Sequence, residues 1–287
     1  MLFRSESLPT STEDRVPDSF DQLGVAATLI GTQFAGKVHH FPSVGSTNAL
    51  ALEAAQGGAP HGSVWLADEQ TAGRGRGNHA WHSAAGDGLY VSVLLRPTMA
   101  LTDALWLSLT TGLAVQAAIA TVTGLKPDIR WPNDVLIGNR KCGGILVETS
   151  AFASQANAPT MLRYAVVGVG INVNHRSLPA ELEMLATSLR RESGRSWARE
   201  LVLVEFLRTL EKELALLEAE LRGTVTGPAL LDRFATASSW VRGKRVRVDE
   251  AGGYTGVTDG LDARGFLRVA GDDGVLHTVL SGGVRAQ

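Results

Sequence analysis

The sequence predicts an α+β fold: a large domain in which strands and helices are mixed, followed by a small β-barrel. Two observations lead to this prediction. First, apolar runs typical of buried strands, at residues 63–67, 88–95 and 164–169, are interspersed with segments of helical periodicity. Second, from Trp240 onwards the chain consists of short alternating strands separated by glycine-rich turns. At 287 residues, 44% of them apolar, the chain is long enough to form both units.

The large domain is predicted to span residues 21–238 and the barrel residues 239–287, after a mobile tail at residues 1–20. The tail is rich in Ser, Thr, Asp, Glu and Pro, a composition that does not form a packed core. It leaves too little chain before His39 for a helix-turn-helix domain, so we expect no DNA-binding domain of that kind.

Five helices are predicted from apolar stripes and from helix-end signals. They lie at residues 22–32, 49–56, 101–122, 198–222 and 230–238. One side of the long helix 198–222 is expected to be buried, with Leu201, Val204, Leu207, Leu210, Leu214 and Leu217. The strands of the barrel are predicted at residues 245–248, 254–257, 265–269 and 277–280.

Overall composition narrows the class of protein. The net charge of −2 gives no general reason to expect a nucleic acid or an anionic membrane as partner. The single cysteine, Cys142, excludes an internal disulfide and fits a reducing compartment. No basic and then apolar N-terminal segment is present, and no window approaches the about 18 apolar residues of a membrane span. These features predict a soluble, cytoplasmic protein without a membrane partner.

The segment at residues 69–90 contains the run Gly-Arg-Gly-Arg-Gly at 73–77. Glycines let the backbone approach a ligand closely, while Arg74 and Arg76 supply fixed positive charge. Such a run is also compatible with an ordinary surface loop or with a disordered RNA-binding segment. Because predicted core strands flank it on both sides, we favour a loop that binds an anionic group such as a phosphate or a carboxylate.

Two further segments carry candidate ligand-binding residues. Ser46, Thr47 and Asn48 precede a predicted helix, where they could cap its N-terminus, contact a ligand, or do both. Residues 135–137 and 144–148 form a predicted hairpin, which places Asn133 and Asp134 at the start of its first strand. Lys141 could then point toward the same ligand, although a solvated turn lysine is equally compatible with the pattern. Trp131-Pro132 could serve only to shape a bend.

Several familiar sites are excluded. Gly168-x-Gly170 follows a strand but lacks the third glycine and the following helix of a dinucleotide-binding motif. No phosphate loop of the GxxxxGK[ST] type occurs. The histidines lack the spacing of a metal site, and no catalytic Ser-His-Asp or Cys-His set can be assembled.

With these residues assembled, residues 40–287 resemble the biotin protein ligases, which attach biotin to a lysine of biotin-dependent carboxylases. The resemblance rests on four motifs in order: Ser46-Thr47-Asn48; residues 70–76 with Trp81; Trp131-Pro132-Asn133-Asp134 with Lys141-x-x-Gly144-Ile145-Leu146; and Gly168-x-Gly170-x-Asn172. It implies a class II synthetase-like catalytic domain, a mixed sheet flanked by helices, followed by an SH3-like barrel. The implied activity has two steps: biotin and MgATP give biotinyl-5′-adenylate and pyrophosphate, and an acceptor lysine then attacks the adenylate.

The resemblance also implies roles for individual residues. Those assigned to biotin are Ser46, Thr47, Asn48, Gln70, Gly73, Arg74, Gly75 and Gly144. Those assigned to ATP and the adenylate are Arg76, Trp81, Asn133, Asp134, Lys141 and Asn172. Arg74, Arg76 and Lys141 are the implied catalytic residues, since joining two anions needs compensating positive charge rather than a base. Mg²⁺ is expected on the ATP phosphates without assigned protein ligands. The implied acceptor is the carboxyl carrier domain of an acetyl-CoA, acyl-CoA or pyruvate carboxylase.

The sequence departs from the family pattern at two places. After Arg76 the family has another Gly-Arg pair, whereas this chain has Gly77-Asn78-His79-Ala80, and before Trp131 it has Arg130 where lysine is common. A lipoate ligase, which shares the catalytic fold, is the leading alternative, and the ordered motif set argues against it. A nucleic-acid binder using the basic strand at residues 242–247 is a second alternative, disfavoured by the lack of interleaved aromatic residues. We expect a ligase without repressor activity.

Overall fold

The computed structural model describes residues 20–153, 158–250, 252–281 and 283–287. Nearly all of the predicted tail at residues 1–20 therefore lies outside the described residues. The helices are α1 Gln22–Thr28, α2 Thr47–Gln56, α3 Leu105–Thr123, α4 Leu189–Ser193, α5 Arg199–Leu221 and α6 Leu230–Ala237. The first seven strands are β1 Val38–Val44, β2 Val64–Gln70, β3 Gly88–Leu95, β4 Pro127–Arg130, β5 Asp134–Ile137, β6 Arg140–Ala151 and β7 Leu162–Asn172. The last five are β8 Arg242–Val248, β9 Tyr254–Leu261, β10 Leu267–Gly271, β11 Leu276–Val279 and β12 Val284–Ala286.

The large unit is built on a seven-stranded sheet in the order β1-β2-β3-β7-β6-β5-β4. Strands β1 and β2 are parallel, and the other neighbouring pairs are antiparallel. Parallel and antiparallel pairs in one sheet, with helices packed on it, confirm the predicted α+β class and the mixed sheet flanked by helices.

The two faces of this sheet are covered differently. One face packs its alternate residues, such as Leu89, Val91 and Val93 of β3, into the main core with α3 and α5. The other face packs against α2 in a small apolar cluster. Its members are Ala51 and Ala55 of α2 and Trp65, Leu94, Tyr164 and Val166 of the sheet. Beside α2, the central strands on this face are covered by Asn48 and Trp81, which pack on Gly168 and Gly170.

Helix α3 is apolar on all sides, which is the pattern of a core helix rather than a surface helix. From the sequence, no segment as long and apolar as a membrane span was expected. That expectation was wrong, because Leu101–Thr123 is long and apolar enough to cross a membrane. Most of that segment is buried inside the protein, against the sheet and α5.

The buried stripe of α5 corrects one predicted core residue. Val204, Leu207, Leu210, Leu214 and Leu217 are buried, whereas Leu201 is 60% exposed. Successive steps of three residues drift by roughly 60° around an α-helix of 3.6 residues per turn. A line of i, i+3 positions therefore leaves the buried face, and Leu201 lies on the opposite side from Leu210.

The C-terminal unit is a five-stranded antiparallel sheet in the order β11-β10-β9-β8-β12. Its short alternating strands confirm the predicted change of character after Trp240 and fit an SH3-like domain. The expected barrel is not closed in the part of the chain that the structure describes, because β11 and β12 remain the two edges of the sheet. Strand β12 and, in the large unit, strands β1 and β4 and helix α4 were not predicted.

The two units share a packed boundary. The Trp131 indole N–H donates to the carbonyl of Gly265 at 2.9 Å, and that of Trp106 donates to Arg264 at 3.1 Å. Residues of both units belong to the same apolar core. The division between residues 238 and 239 therefore stays a prediction, although the change from helix to strand occurs there.

Candidate active site

The part of the sheet beside α2 presents a polar and glycine-rich strip. Side chains two residues apart on a strand share a face, and the strand register aligns them in rows. Gly144, Gly170 and Tyr90 form one row across β6, β7 and β3, and Leu146, Gly168 and Ser92 form the next. The third row, Glu148 with Val166 and Leu94, meets the apolar cluster beneath α2. The strip thus runs from Gly144 and Gly170 at one end to the carboxylate of Glu148 at the other.

A pocket opens over this strip. The sequence-predicted residues that line it are Ser46, Thr47, Asn48, Gln70, Arg74, Gly75, Arg76, Trp81, Asn133, Lys141 and Gly144. Four segments that are far apart in sequence therefore meet at one place. Gly73, Asp134 and Asn172 are not on the lining.

One end of the pocket is neutral and polar. Thr47 begins α2, and both its backbone N–H and its hydroxyl contact the Gln70 side-chain oxygen, at 2.9 and 3.1 Å. The Gln70 amide nitrogen donates to the Ser83 hydroxyl at 3.0 Å. Ser46 occupies the N-cap position of α2 without a side-chain capping bond. These hydroxyl and amide groups offer both donors and acceptors to an uncharged polar ligand.

The loop at residues 73–81, here called the Gly-Arg loop, folds back over the strip. Two backbone hydrogen bonds close its base. The Trp81 N–H donates to the Gly73 carbonyl at 2.9 Å, and the Gly75 N–H donates to the His79 carbonyl at 2.7 Å. Between them, Gly77 adopts φ of 61°, a left-handed conformation that favours glycine. Residues 77–80, where the chain departs from the family pattern, therefore form the tip of the loop.

The two loop arginines are held by different partners. The guanidinium of Arg74 lies 3.0 Å from the Glu148 carboxylate, and 47% of its side chain is exposed. Arg76 donates to the Asn133 side-chain oxygen at 3.2 Å. Burial lowers the pKa of Arg76 from its ordinary value, with Asp134 and Glu250 acting in the opposite direction. Arg76 is thus a partly desolvated cation on the pocket wall, where an anion would be attracted strongly.

Lys141 is placed by an acidic residue behind it. Its ammonium lies 2.5 Å from Asp134, which also receives two hydrogen bonds from Arg130 at 3.1 and 2.5 Å. Burial alone would raise the pKa of Asp134, but Lys141 and Arg130 outweigh it and hold that pKa below its ordinary value. Asp134 is therefore ionised, and it orients Lys141 from outside the pocket. The alternative of a solvated turn lysine does not fit this geometry.

Trp81 lies flat against the glycines of the strip. A Cβ atom added at Gly170 would come within 2.5 Å of its ring, and one at Gly144 within 2.8 Å. The Lys141 ammonium is 5.1 Å from the ring centroid. At Gly168 a Cβ would lie 2.2 Å from Asn48. The Gly-x-Gly pattern therefore exists because Trp81 and Asn48 pack directly on the strand backbone.

Comparison with known proteins agrees with this geometry. A model of the biotin/lipoate A/B protein ligase family matches residues 40–172. The biotin–acetyl-CoA-carboxylase ligase of Mycobacterium tuberculosis is 32% identical over 262 residues, covering 88% of this chain and 91% of that protein. The one of Paracoccus denitrificans is 33% identical and covers 80% and 92%. The chain belongs to the biotin protein ligases.

Similarity extends to solved structures of biotin protein ligases. That of Aquifex aeolicus in complex with biotin and ATP has a TM-score of 0.70 and 28% identity, covering 88% of this chain and 99% of that one. Two bifunctional ligase/repressor proteins of Bacillus species are 40% and 36% identical. The chain spans 51% and 58% of their length.

Two residues that contact the pocket lining from behind were missed from the sequence. Ser92 is fully buried in β3, where its hydroxyl lies 2.5 Å from Asn48 and 2.8 Å from Thr47. Glu148 accepts from Asn48 at 2.8 Å and from Arg74. A hydroxyl in the otherwise apolar run of β3, and a carboxylate ending the apolar part of β6, were the available signals. Neither signal identifies a partner before the packing of α2 and of the Gly-Arg loop on the sheet is known.

The structure places Asn172 differently from the expected adenine contact. Its amide is 5% exposed and donates to the Thr187 carbonyl at 3.0 Å. An adenine contact would require that bond to be exchanged, so this assignment remains a prediction. Cys142, the single thiol, is buried, and burial raises its pKa to about 12, so it is not a nucleophile.

No group of three or more metal-binding side chains occurs within the described ranges. The carboxylate nearest to the cations, Asp134, is already shared by Lys141 and Arg130. The expected binding of Mg²⁺ through the ATP phosphates stays a prediction.

Proposed function

We propose that this ligase forms biotinyl-5′-adenylate from biotin and ATP and then transfers biotin to a lysine of a carboxyl carrier domain. The observation that carries the proposal is a single pocket that has uncharged polar groups at one end and two cations, Arg76 and Lys141, at the other, with Arg74 on the wall between them. Biotin has the same polarity, with an uncharged ureido head and a carboxylate tail. Membership of the biotin protein ligases supports the assignment.

The polar end suits the ureido ring because this group needs both donors and acceptors. Ser46, Thr47 and Gln70 line this end of the pocket with uncharged hydroxyl and amide groups. We therefore assign biotin's head to the end of the pocket at α2 and its chain to the direction of Lys141.

The cationic end suits adenylate formation. A biotin carboxylate oxygen attacks the α-phosphorus of ATP, the bond to the β-phosphate oxygen breaks, and pyrophosphate leaves with that electron pair. Two anions must approach, so fixed positive charge lowers the barrier more in the transition state than in the separate reactants. Lys141 and Arg76 are held in place by Asp134 and Asn133, so little reorganisation is needed when the reaction begins. Mg²⁺ would enter on the ATP phosphates and share this role.

In the second step the uncharged amine of the acceptor lysine attacks the carbonyl of the mixed anhydride. The amide bond forms, the carbonyl–oxygen bond to AMP breaks, and the amine loses a proton to solvent. The proposed acceptor is the carrier domain of an acetyl-CoA, acyl-CoA or pyruvate carboxylase, in a cytoplasmic reaction. Nucleic-acid binding is not proposed, because Arg245 and Arg247 on the basic strand are paired with Asp272 and Asp249.

Exchange of labelled pyrophosphate into ATP tests the first step. We expect exchange that depends on biotin and MgATP and that is absent with lipoate or octanoate in place of biotin. Exchange driven by lipoate but not by biotin would reassign the ligase to lipoate chemistry. Exchange with neither acid would overturn adenylate formation at this site.

A further inference from the structure

Glu148 makes a contact that the mechanism above does not use. Its carboxylate oxygen Oε2 accepts from the amide nitrogen of Asn48 at 2.8 Å and from the guanidinium of Arg74 at 3.0 Å. The first donor is on α2, the second is on the Gly-Arg loop, and Glu148 itself is on β6. One oxygen atom therefore joins three segments of the pocket.

The two contacts differ in environment. Asn48 is 4% exposed, whereas 47% of the Arg74 side chain is exposed to solvent. A solvent-exposed ion pair of this kind contributes about 0 to 1 kcal/mol, but a buried amide left without its partner is costly. The contact with Asn48 is thus the one that constrains the pocket.

A carboxylate can only accept hydrogen bonds, so it fixes which way round the Asn48 amide lies. The nitrogen Nδ2 must face Glu148, with a longer contact of 3.4 Å to the Leu146 carbonyl. The oxygen Oδ1 must then face Ser92, whose hydroxyl is 2.5 Å away. Gly168 leaves no space for Asn48 to move aside, since a Cβ there would lie 2.2 Å from Oδ1.

This orientation decides where the Ser92 proton goes. Ser92 has one proton and two neighbours, Asn48 Oδ1 at 2.5 Å and Thr47 Oγ1 at 2.8 Å. When Asn48 presents an oxygen, the proton goes to Asn48, and the Ser92 oxygen can accept. The Thr47 hydroxyl then donates its proton to Ser92, and its oxygen is left as an acceptor for a ligand. If the Asn48 amide were reversed, its nitrogen would donate to Ser92, and the Ser92 proton would be directed at Thr47.

We propose that Glu148 is a positioning residue for biotin: by orienting the Asn48 amide, it fixes the direction of the hydrogen bonds at the pocket end where the ureido group binds. This inference rests on the proposed function. Glu148 does not touch the reacting atoms, so its effect falls on the affinity for biotin and not on the rate of adenylation at saturating biotin.

A donor–acceptor exchange tests the proposal without changing the size of the side chains. Asn48→Asp alone places a carboxylate against Glu148 and should weaken biotin binding about 10-fold to 100-fold. When Asn48→Asp is combined with Glu148→Gln, the introduced amide donates to one oxygen of the introduced carboxylate, whose other oxygen still accepts from Ser92. We expect this double variant to bind biotin within about threefold of the natural protein. Glu148→Leu, which offers no acceptor, should weaken binding about tenfold.

Biotin affinity is measured by titration calorimetry, together with the KM for ATP and the melting temperature of each variant. Glu213→Gln is a matched control, because Glu213 on α5 forms a largely buried pair with Arg233 on α6, away from the pocket. It should leave biotin affinity unchanged. We expect the Glu148 and Asn48 variants to change biotin affinity while the KM for ATP stays the same.

A double variant that binds biotin no better than Asn48→Asp would overturn the proposal. So would losses of affinity that simply follow the melting temperature. If Glu148→Leu fails to fold, the proposal is still tested by comparing the biotin affinity of Asn48→Asp with that of the double variant. A natural protein that binds no biotin at all would refute the proposed function instead, so the two failures can be told apart.

Discussion

Lys141 is the residue whose substitution tests the chemistry most sharply. A fixed charge of this kind is typically worth about 3 to 4 kcal/mol in the transition state, so Lys141→Ala should slow adenylation about 100-fold to 1,000-fold. The fold should persist because Asp134 keeps its two hydrogen bonds from Arg130. Lys141→Arg should recover only part of the rate, since the guanidinium is wider than the ammonium.

Single-turnover measurement of adenylate formation is the appropriate assay for Lys141. Melting temperatures of both variants serve as the control for folding. A Lys141→Ala enzyme with a rate near that of the natural protein would remove Lys141 from the reaction.

His175 gives the ligase a predictable dependence of stability on pH. The side chain is 1% exposed, and burial lowers its pKa from 6.5 to about 4, with Asp87 opposing and His82 reinforcing that shift. Between those values the unfolded chain binds more protons than the folded one. The stability linked to neutral His175 is therefore fully present above pH 6.5 and is lost as the pH falls toward about 4.

The expected loss over that interval is about 3 kcal/mol. It is measured as the free energy of unfolding against pH for the natural protein and for His175→Gln, since subtracting the two curves removes the contribution of carboxylates. If both curves had the same slope between pH 6.5 and 4, the assignment to His175 would be refuted.

Among the elements, the Gly-Arg loop is the one we expect to respond to substrates. Its base is fixed by two backbone hydrogen bonds, but Arg74 at its side is half exposed and weakly paired. Trypsin should cut after Arg74 or Arg76 in the free enzyme and more slowly when biotin and MgATP are both present. Cleavage after the exposed Arg222, at the end of α5, is the internal control and should not change. Equal cleavage of the loop in both states would argue against ordering by substrate.

Local patterns predicted the elements that carry their own signal. The apolar run of β3, the segment leading into α2 and the Gly-Arg loop all lie where the sequence placed them. Leu201 was assigned wrongly because steps of three residues drift around a helix. Ser92 and Glu148 were missed for another reason: their shared partner, Asn48, is 44 and 100 residues away, and the contacts exist only because α2 packs on the sheet. Strands β4 and β12, of four and three residues, are too short to show a pattern.

At the level of the whole molecule, the Trp131-Pro132-Asn133-Asp134 turn joins the C-terminal sheet to the pocket. Trp131 donates to Gly265 of that sheet, while Asn133 accepts from Arg76 of the Gly-Arg loop. Trp131→Phe would leave the buried Gly265 carbonyl without its donor and should lower the free energy of unfolding by about 1 to 3 kcal/mol.

Chemical denaturation measures this effect of Trp131. Trp106→Phe, which removes a similar but exposed hydrogen bond to Arg264, is the control and should lower stability by less. Equal losses in the two variants would mean that the bond to Gly265 adds nothing specific to the junction.

The central claim is that this pocket activates biotin and passes it to a lysine. It is tested most directly by incubating the enzyme with biotin, MgATP and an isolated carboxyl carrier domain, and by measuring the mass of that domain. We expect one biotinyl group on the acceptor lysine, dependent on ATP and missing when that lysine is replaced by arginine. A carrier domain that keeps its original mass, although its lysine is biotinylated by another biotin protein ligase, would contradict the claim.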